Sequence, residues 1–119
     1  MIKFEKNTVP DDLDSWGKIT DLGATLLEGD VQASGKFVVG SPQTNISCAF
    51  FACTRGKFRM VYEYTEHAVV LEGAVNLTDE KTGKTTRYEA GDSWYVEKGT
   101  PVLWEVTTPR FVKNYIGVA

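Results

Sequence analysis

The chain has 119 residues, enough for one domain with a single buried core and no need of staples. Hydrophobic residues make up 42% and charged residues 24%, a balance that excludes a disordered polymer. The net charge is −3, from 16 acidic and 13 basic residues, and Lys and Arg are scattered, so neither nucleic acid nor an anionic membrane is an expected partner. No apolar run reaches the length of a membrane span. Met1–Lys6 lacks the apolar core of a secretion signal, which makes the cytoplasm the expected compartment.

In chain order, residues 1–24 read as an irregular polar arm. Asp11–Trp16 could hold one turn of helix, and Trp16 is expected on the barrel exterior or against another subunit. From residue 25 onward, short β-branched and aromatic stretches alternate with turn signals about every 8 to 12 residues, as in all-β sandwiches and barrels. Strands are expected at 25–29 and 36–40, then at 46–54 and 57–64 on either side of an Arg55-Gly56 turn. Further strands are expected over 66–72, 74–78, 85–89, 93–96, 102–106 and 110–118. Asp79–Lys84 is a hairpin loop. About ten short strands joined mostly by hairpins can close into a barrel and hide the sheet edges.

Cys48 and Cys53 fall in one expected strand, on opposite faces. Five residues of strand separate their Cα atoms by roughly 16 Å, where a disulfide needs less than about 7 Å. They read as two reduced thiols.

Glu66, six further residues and then Gly73, followed by Gly91-Asp92 and by Gly99 eight residues after Gly91, resemble the two sequence motifs of a cupin. The stretch from Phe51-Ala52-Cys53-Thr54-Arg55-Gly56-Lys57-Phe58-Arg59 to Leu71-Glu72-Gly73, with Trp104-Glu105-Val106, is similar to the (S)-ureidoglycine aminohydrolase cupin domain subfamily. The resemblance runs from about Leu27 to Ile116. It implies an all-β fold, a single jelly-roll-like cupin β-barrel over 25–119 behind the irregular arm of 1–24. Cupins of this size usually pair, so a homodimer is implied, and Phe4, Val9 and Trp16 would suit its interface.

In metal-bearing cupins four motif positions supply the ligands. On this chain those positions are Met60, Tyr62, Glu66 and Val102. Only Glu66 is an ordinary ligand for a divalent cation, and Val102 coordinates nothing, whereas a catalytic metal usually takes about three protein ligands. The expectation is no metal and no cofactor, with a divalent metal at Glu66 as the alternative. The named enzyme also joins two cupin domains in one chain, where this chain has one.

Strand alternation then groups the side chains. Met60, Tyr62 and Tyr64 share one face, Glu66, Ala68 and Val70 another, and Val102, Trp104 and Val106 a third. The expected cavity is lined by Met60, Tyr62, Tyr64, Glu66, Val102 and Trp104, with Trp94: apolar and aromatic with a few polar tips, as small-molecule pockets commonly are. Glu66 is its one charge. It could serve as general acid or base with help from Tyr62, could bind a ligand's amine or hydroxyl, or could simply be bonded to backbone or a tyrosine hydroxyl. His67 is the only histidine and should point away from Glu66. Arg59 should face outward. Three functions stay open: a metal-free cupin that binds a small molecule in its interior, an enzyme of C–N or carbohydrate-like chemistry using Glu66, and a structural or regulatory homodimer with a filled barrel.

Overall fold

A computed structural model describes residues 1–119. Nine strands carry the fold: β1 (Asp14–Lys18), β2 (Thr25–Glu28), β3 (Gln32–Val39), β4 (Ile46–Val61), β5 (Thr65–Glu72), β6 (Ala74–Asp79), β7 (Lys84–Glu89), β8 (Ser93–Val96) and β9 (Pro101–Val118). A single 3₁₀ turn, Ile19–Leu22, follows β1. No helix is long and apolar enough to cross a membrane.

Two strands are far longer than the sequence reading allows. Residues 46–54 and 57–64 were expected as separate strands, but β4 runs unbroken from Ile46 to Val61. Residues 102–106 and 110–118 likewise belong to one strand, β9. The Arg55-Gly56 turn is instead a bulge, where the β4–β9 register slips between Thr54 and Gly56. A bulge bends a strand without ending it. Each long strand can therefore serve two sheets. The Ile46–Thr54 half of β4 pairs with Arg110–Val118, flanked by β3 and β1 on one side and β5 and β8 on the other. The Gly56–Val61 half pairs with Pro101–Val106, flanked by β2 and by β6–β7. The result is two facing antiparallel sheets with shared spines, the cupin barrel. Most pairings join strands distant in the chain, so hairpins contribute less than expected.

The arm also departs from expectation. Residues 14–18 are strand rather than irregular chain, paired antiparallel with β3. Trp16 turns inward instead of out: it stacks on Phe37 at 5.3 Å and approaches Phe51 at 6.5 Å. Phe4 lies 5.9 Å from Phe50. Gly35 makes the position of Trp16 possible, because a Cβ there would collide with the Trp16 ring and come within 2.5 Å of the Phe50 carbonyl oxygen. Gly73, at φ +79°, closes the β5–β6 turn, and a Cβ would strike the Arg110 carbonyl. Both thiols are free, with Cys53 buried and Cys48 half-buried.

The core fills the space between the sheets with Phe51, Phe58, Val70, Val75, Trp104 and Phe111 among its members. Trp104 is its centre: stacked on Phe58 at 5.3 Å and meeting Phe51, Trp94 and Phe111 edge-on at 5.7–6.0 Å.

Gly35→Ala should displace Trp16 and cost about 1–3 kcal/mol, the range for overpacking. Chemical denaturation measures the loss, and near-ultraviolet dichroism reports the Trp16–Phe37 stack. Unchanged stability and spectrum would show that Trp16 is not seated there.

Candidate functional site

The inward row of β9 reads Phe111, Lys113, Tyr115, and that of β5 reads Glu66, Ala68, Val70. The closed end of the interior thus receives a lysine and a glutamate among aromatic rings. Glu66 is 0% exposed and Lys113 is 3% exposed. Lys113 Nζ donates to Glu66 Oε1 at 2.5 Å. The other carboxylate oxygen, Oε2, accepts from the Tyr62 hydroxyl at 2.8 Å and from Trp94 Nε1 at 2.9 Å. Five rings surround the ammonium: Tyr115 at 4.7 Å, Trp104 at 5.2 Å, Phe51 and Trp94 at 5.4 Å, and Tyr62 at 5.7 Å to their centroids. Aromatic faces attract a cation within about 6 Å. Desolvating two charges is expensive, and it is tolerable here because each has a short partner and the carboxylate spends both oxygens.

Beside this cluster a cavity of about 490 Å³ opens between the sheets. Trp104, Lys113, Phe51 and Tyr115 form its closed end, and Trp16, Phe37, Met60 and Tyr64 its walls. Exposed Leu22, Thr44, Val61 and Glu63 mark its mouth.

The residues singled out from sequence divide into two groups. Met60, Tyr64 and Trp104 line the cavity. Tyr62, Glu66 and Trp94 sit together in the hydrogen-bonded cluster behind it and are not among the lining residues. Val102 is buried in the core, also away from the cavity wall. His67 is exposed on the opposite face from Glu66. Arg59 forms an outward bidentate pair with Glu80 at 2.6 and 2.9 Å.

Lys113 escaped the sequence reading. Its signal was the alternation Phe111, Lys113, Tyr115: an inward aromatic row with a lysine in the middle demands a buried anion. Its identity bears on metal binding. Of the four cupin ligand positions, Met60 and Val102 bring no hard donor, and the carboxylate of Glu66 is spent on Lys113, Tyr62 and Trp94. No group of three or more His, Cys, Asp or Glu converges anywhere in the fold. This donor set does not fit a divalent cation.

Removing the cation should be costly. Lys113→Met leaves a buried carboxylate without its counter-charge, expected to destabilise by about 3–5 kcal/mol. Adding Glu66→Leu should recover part of that loss, since an apolar replacement of both partners strands neither. Urea denaturation of the two singles and the double closes the cycle. Additive losses would mean the two residues do not act as a pair.

Alkali should also unfold the protein. Burial pushes the Cys53 thiol up to about 12 from an ordinary 9.0. The hydroxyls of Tyr62, Tyr64 and Tyr115 are raised above their ordinary 10.0, by burial first and then by the charge of Glu66. The unfolded chain therefore releases these protons first, so the stability present below pH 9 drains as pH rises toward 12. Burial moves the Lys113 amine downward, against the pull of Glu66, which works in the opposite sense; it is one group against four. Urea midpoints should fall between about pH 8 and about pH 11, and fall less in Cys53→Ala. A flat or rising profile would contradict the assignment.

Residues 40–115, well over half the chain, match the family model described as EutQ-like cupin domain. The match spans β4 to β9 and so contains both Glu66 and Lys113. Among solved structures, the chain is similar to a putative ethanolamine utilization protein Q from Salmonella typhimurium at 22% identity, over 73% of this chain and 69% of that one, with a TM-score of 0.61. A DUF861-family protein of unknown function from Pseudomonas syringae pv. tomato aligns at 18% identity over 89% of this chain and 44% of that one, TM-score 0.75. A DUF861-family protein from Thermotoga maritima aligns at 30% identity over 56% and 73%, TM-score 0.52. No curated protein matches. With two facing sheets, the family's residues from β4 to β9 and an interior that opens to solvent at one end, the chain belongs to the EutQ-like cupin family.

Proposed function

We propose that the protein is a metal-free cupin that binds a small molecule inside its barrel. The supporting observation is the 490 Å³ cavity, which has aromatic walls and reaches the buried Lys113. Its volume lies within the range of pockets that enclose small ligands, about 300–1,000 Å³. In support of the metal-free reading, Glu66, the one carboxylate at the cupin ligand positions, is engaged by the Lys113 ammonium.

Binding is favoured over turnover because of where Glu66 sits. A general acid or base must come within hydrogen-bond reach of the reacting group. Glu66 is enclosed, both of its oxygens are engaged, and Tyr62 spends its hydroxyl on it. Hydrolysis of the ureidoglycine aminohydrolase kind would need a reactive group facing substrate, and this carboxylate faces its own lysine. A barrel whose interior is merely filled is disfavoured by the size of the open cavity.

Toluene, small and apolar, serves as a probe of the site. It should bind saturably, with nuclear magnetic resonance changes concentrated on Trp16, Met60 and Trp104. Changes scattered over the surface, or none, would reject an interior binding site. Elemental analysis of protein purified without chelator should find Mn, Fe, Ni and Zn well below one ion per chain; a stoichiometric metal would reject the metal-free reading.

A further inference from the structure

One wall of the cavity carries a hydroxyl with nothing to bond. Ser47 is half-buried, lines the cavity and pairs across the strands with Gly117 of β9. It shares the inner face of β4 with Ala49 and Phe51, two and four residues on. Trp104 Nε1 is the one side-chain polar atom that is both sealed from solvent and unpaired, and its ring neighbours shut it in. Ser47 Oγ, which also bonds to no other group of the protein, is therefore open, and its face of the strand turns it to the cavity. A serine hydroxyl can donate one hydrogen bond and accept two.

Gly117 brings a second hydroxyl-bearing side chain to the same place. Where its Cβ would stand, Ser47 Oγ is 3.3 Å away and the Tyr64 ring comes within 2.9 Å. Tyr64 is half-buried, lines the cavity and stacks on Tyr115 at 6.0 Å. Charge, by contrast, is committed elsewhere. Of the charged side chains that line the cavity, Lys113 is held by Glu66, and Glu63 stands exposed at the mouth. A charged group carried inside would meet no free counter-charge, and an unpaired ion costs far more to desolvate than a hydroxyl does.

From this we infer that the cavity takes an uncharged molecule with an apolar ring and one hydroxyl group, the hydroxyl bonded to Ser47 Oγ beside the Tyr64 ring. Trp16, Phe37 and Met60, all half-buried on the cavity walls, hold the ring. A hydroxyl suits this wall because Ser47 can both donate and accept, and a ligand hydroxyl does the same. This inference rests on the cavity being a ligand site, and it adds the chemical class of the ligand.

p-Cresol, p-xylene, p-toluate and 4-methylbenzylamine share a methyl-bearing ring and differ in the second substituent. Water solvates p-cresol better than p-xylene, so the readout is the ratio of their affinities, measured by calorimetry in the wild-type protein and in Ser47→Ala. The variant should lower the p-cresol to p-xylene ratio about fivefold, the worth of one hydrogen bond. The carboxylate and the protonated amine should both bind more weakly than p-cresol. In the wild-type protein, nuclear Overhauser contacts should join the p-cresol protons beside its hydroxyl to the Ser47 β-protons. That measurement needs no variant, so a Ser47→Ala protein that fails to fold leaves the test intact. A ratio unmoved by Ser47→Ala, a p-cresol methyl rather than hydroxyl end at Ser47, or a charged probe that binds best overturns the hydroxyl inference while interior binding stands. If none of the four binds while toluene does, the hydroxyl inference falls alone; if toluene fails as well, both fall.

Discussion

The interior of this barrel is organised around one ion pair, Glu66 with Lys113. Two opposite charges in a space closed to water are stable only when their remaining valences are satisfied. That requirement reaches into three strands and the segment that leaves a fourth. Glu66 comes from β5, Lys113 from β9, Trp94 from β8, and Tyr62 from the segment leaving β4. None of these can shift register by one residue without turning its polar atom to the outer face. The pair thus pins the pairing β4–β9–β5–β8 more tightly than apolar packing would, since an apolar side chain tolerates a neighbour of similar size whereas a buried carboxylate tolerates only a donor.

The same pair divides the space between the sheets. Behind it, Tyr62, Trp94 and Glu66 are saturated and enclosed. In front of it, the aromatic rings that face Lys113 continue into the walls of the cavity. Trp16 extends those walls because β1 joins the sheet, so the arm at the start of the chain becomes part of the container. The ammonium sets a positive charge against a carboxylate inside the barrel, on a side chain tethered to β9.

Much of this was legible before the structure. Glycine spacing and Glu66 identified the barrel, and period-two alternation correctly grouped Glu66 with Ala68 and Val70, and Val102 with Trp104 and Val106, on buried faces. The strand boundaries were less legible, because Gly56 reads equally well as a turn or as a bulge. Only the presence of a continuous partner, β9, decides between them. Trp16 was misplaced since nothing local shows that Gly35, nineteen residues later, leaves room for an indole. Lys113 was overlooked for a related reason: lysine is ordinarily a surface residue, and its meaning comes from a glutamate 47 positions away.

Family membership and chemistry separate cleanly in this case. The shared barrel dictates which positions converge, and Met60, Tyr62, Glu66 and Val102 occupy places that in related barrels hold ligands. What those positions can do depends on which atoms are left unspent after the fold has satisfied itself. Glu66 has none. Tyr62 and Trp94 have given their donors to it. The indole N–H of Trp104 is left unpaired but is shut in by its ring neighbours, and the Lys113 ammonium lies among aromatic rings beyond its one carboxylate partner. A scaffold that grips a metal presents acceptor atoms toward its centre. Here the one carboxylate among those positions is taken up by a single lysine on β9, with Tyr62 and Trp94 on its other oxygen.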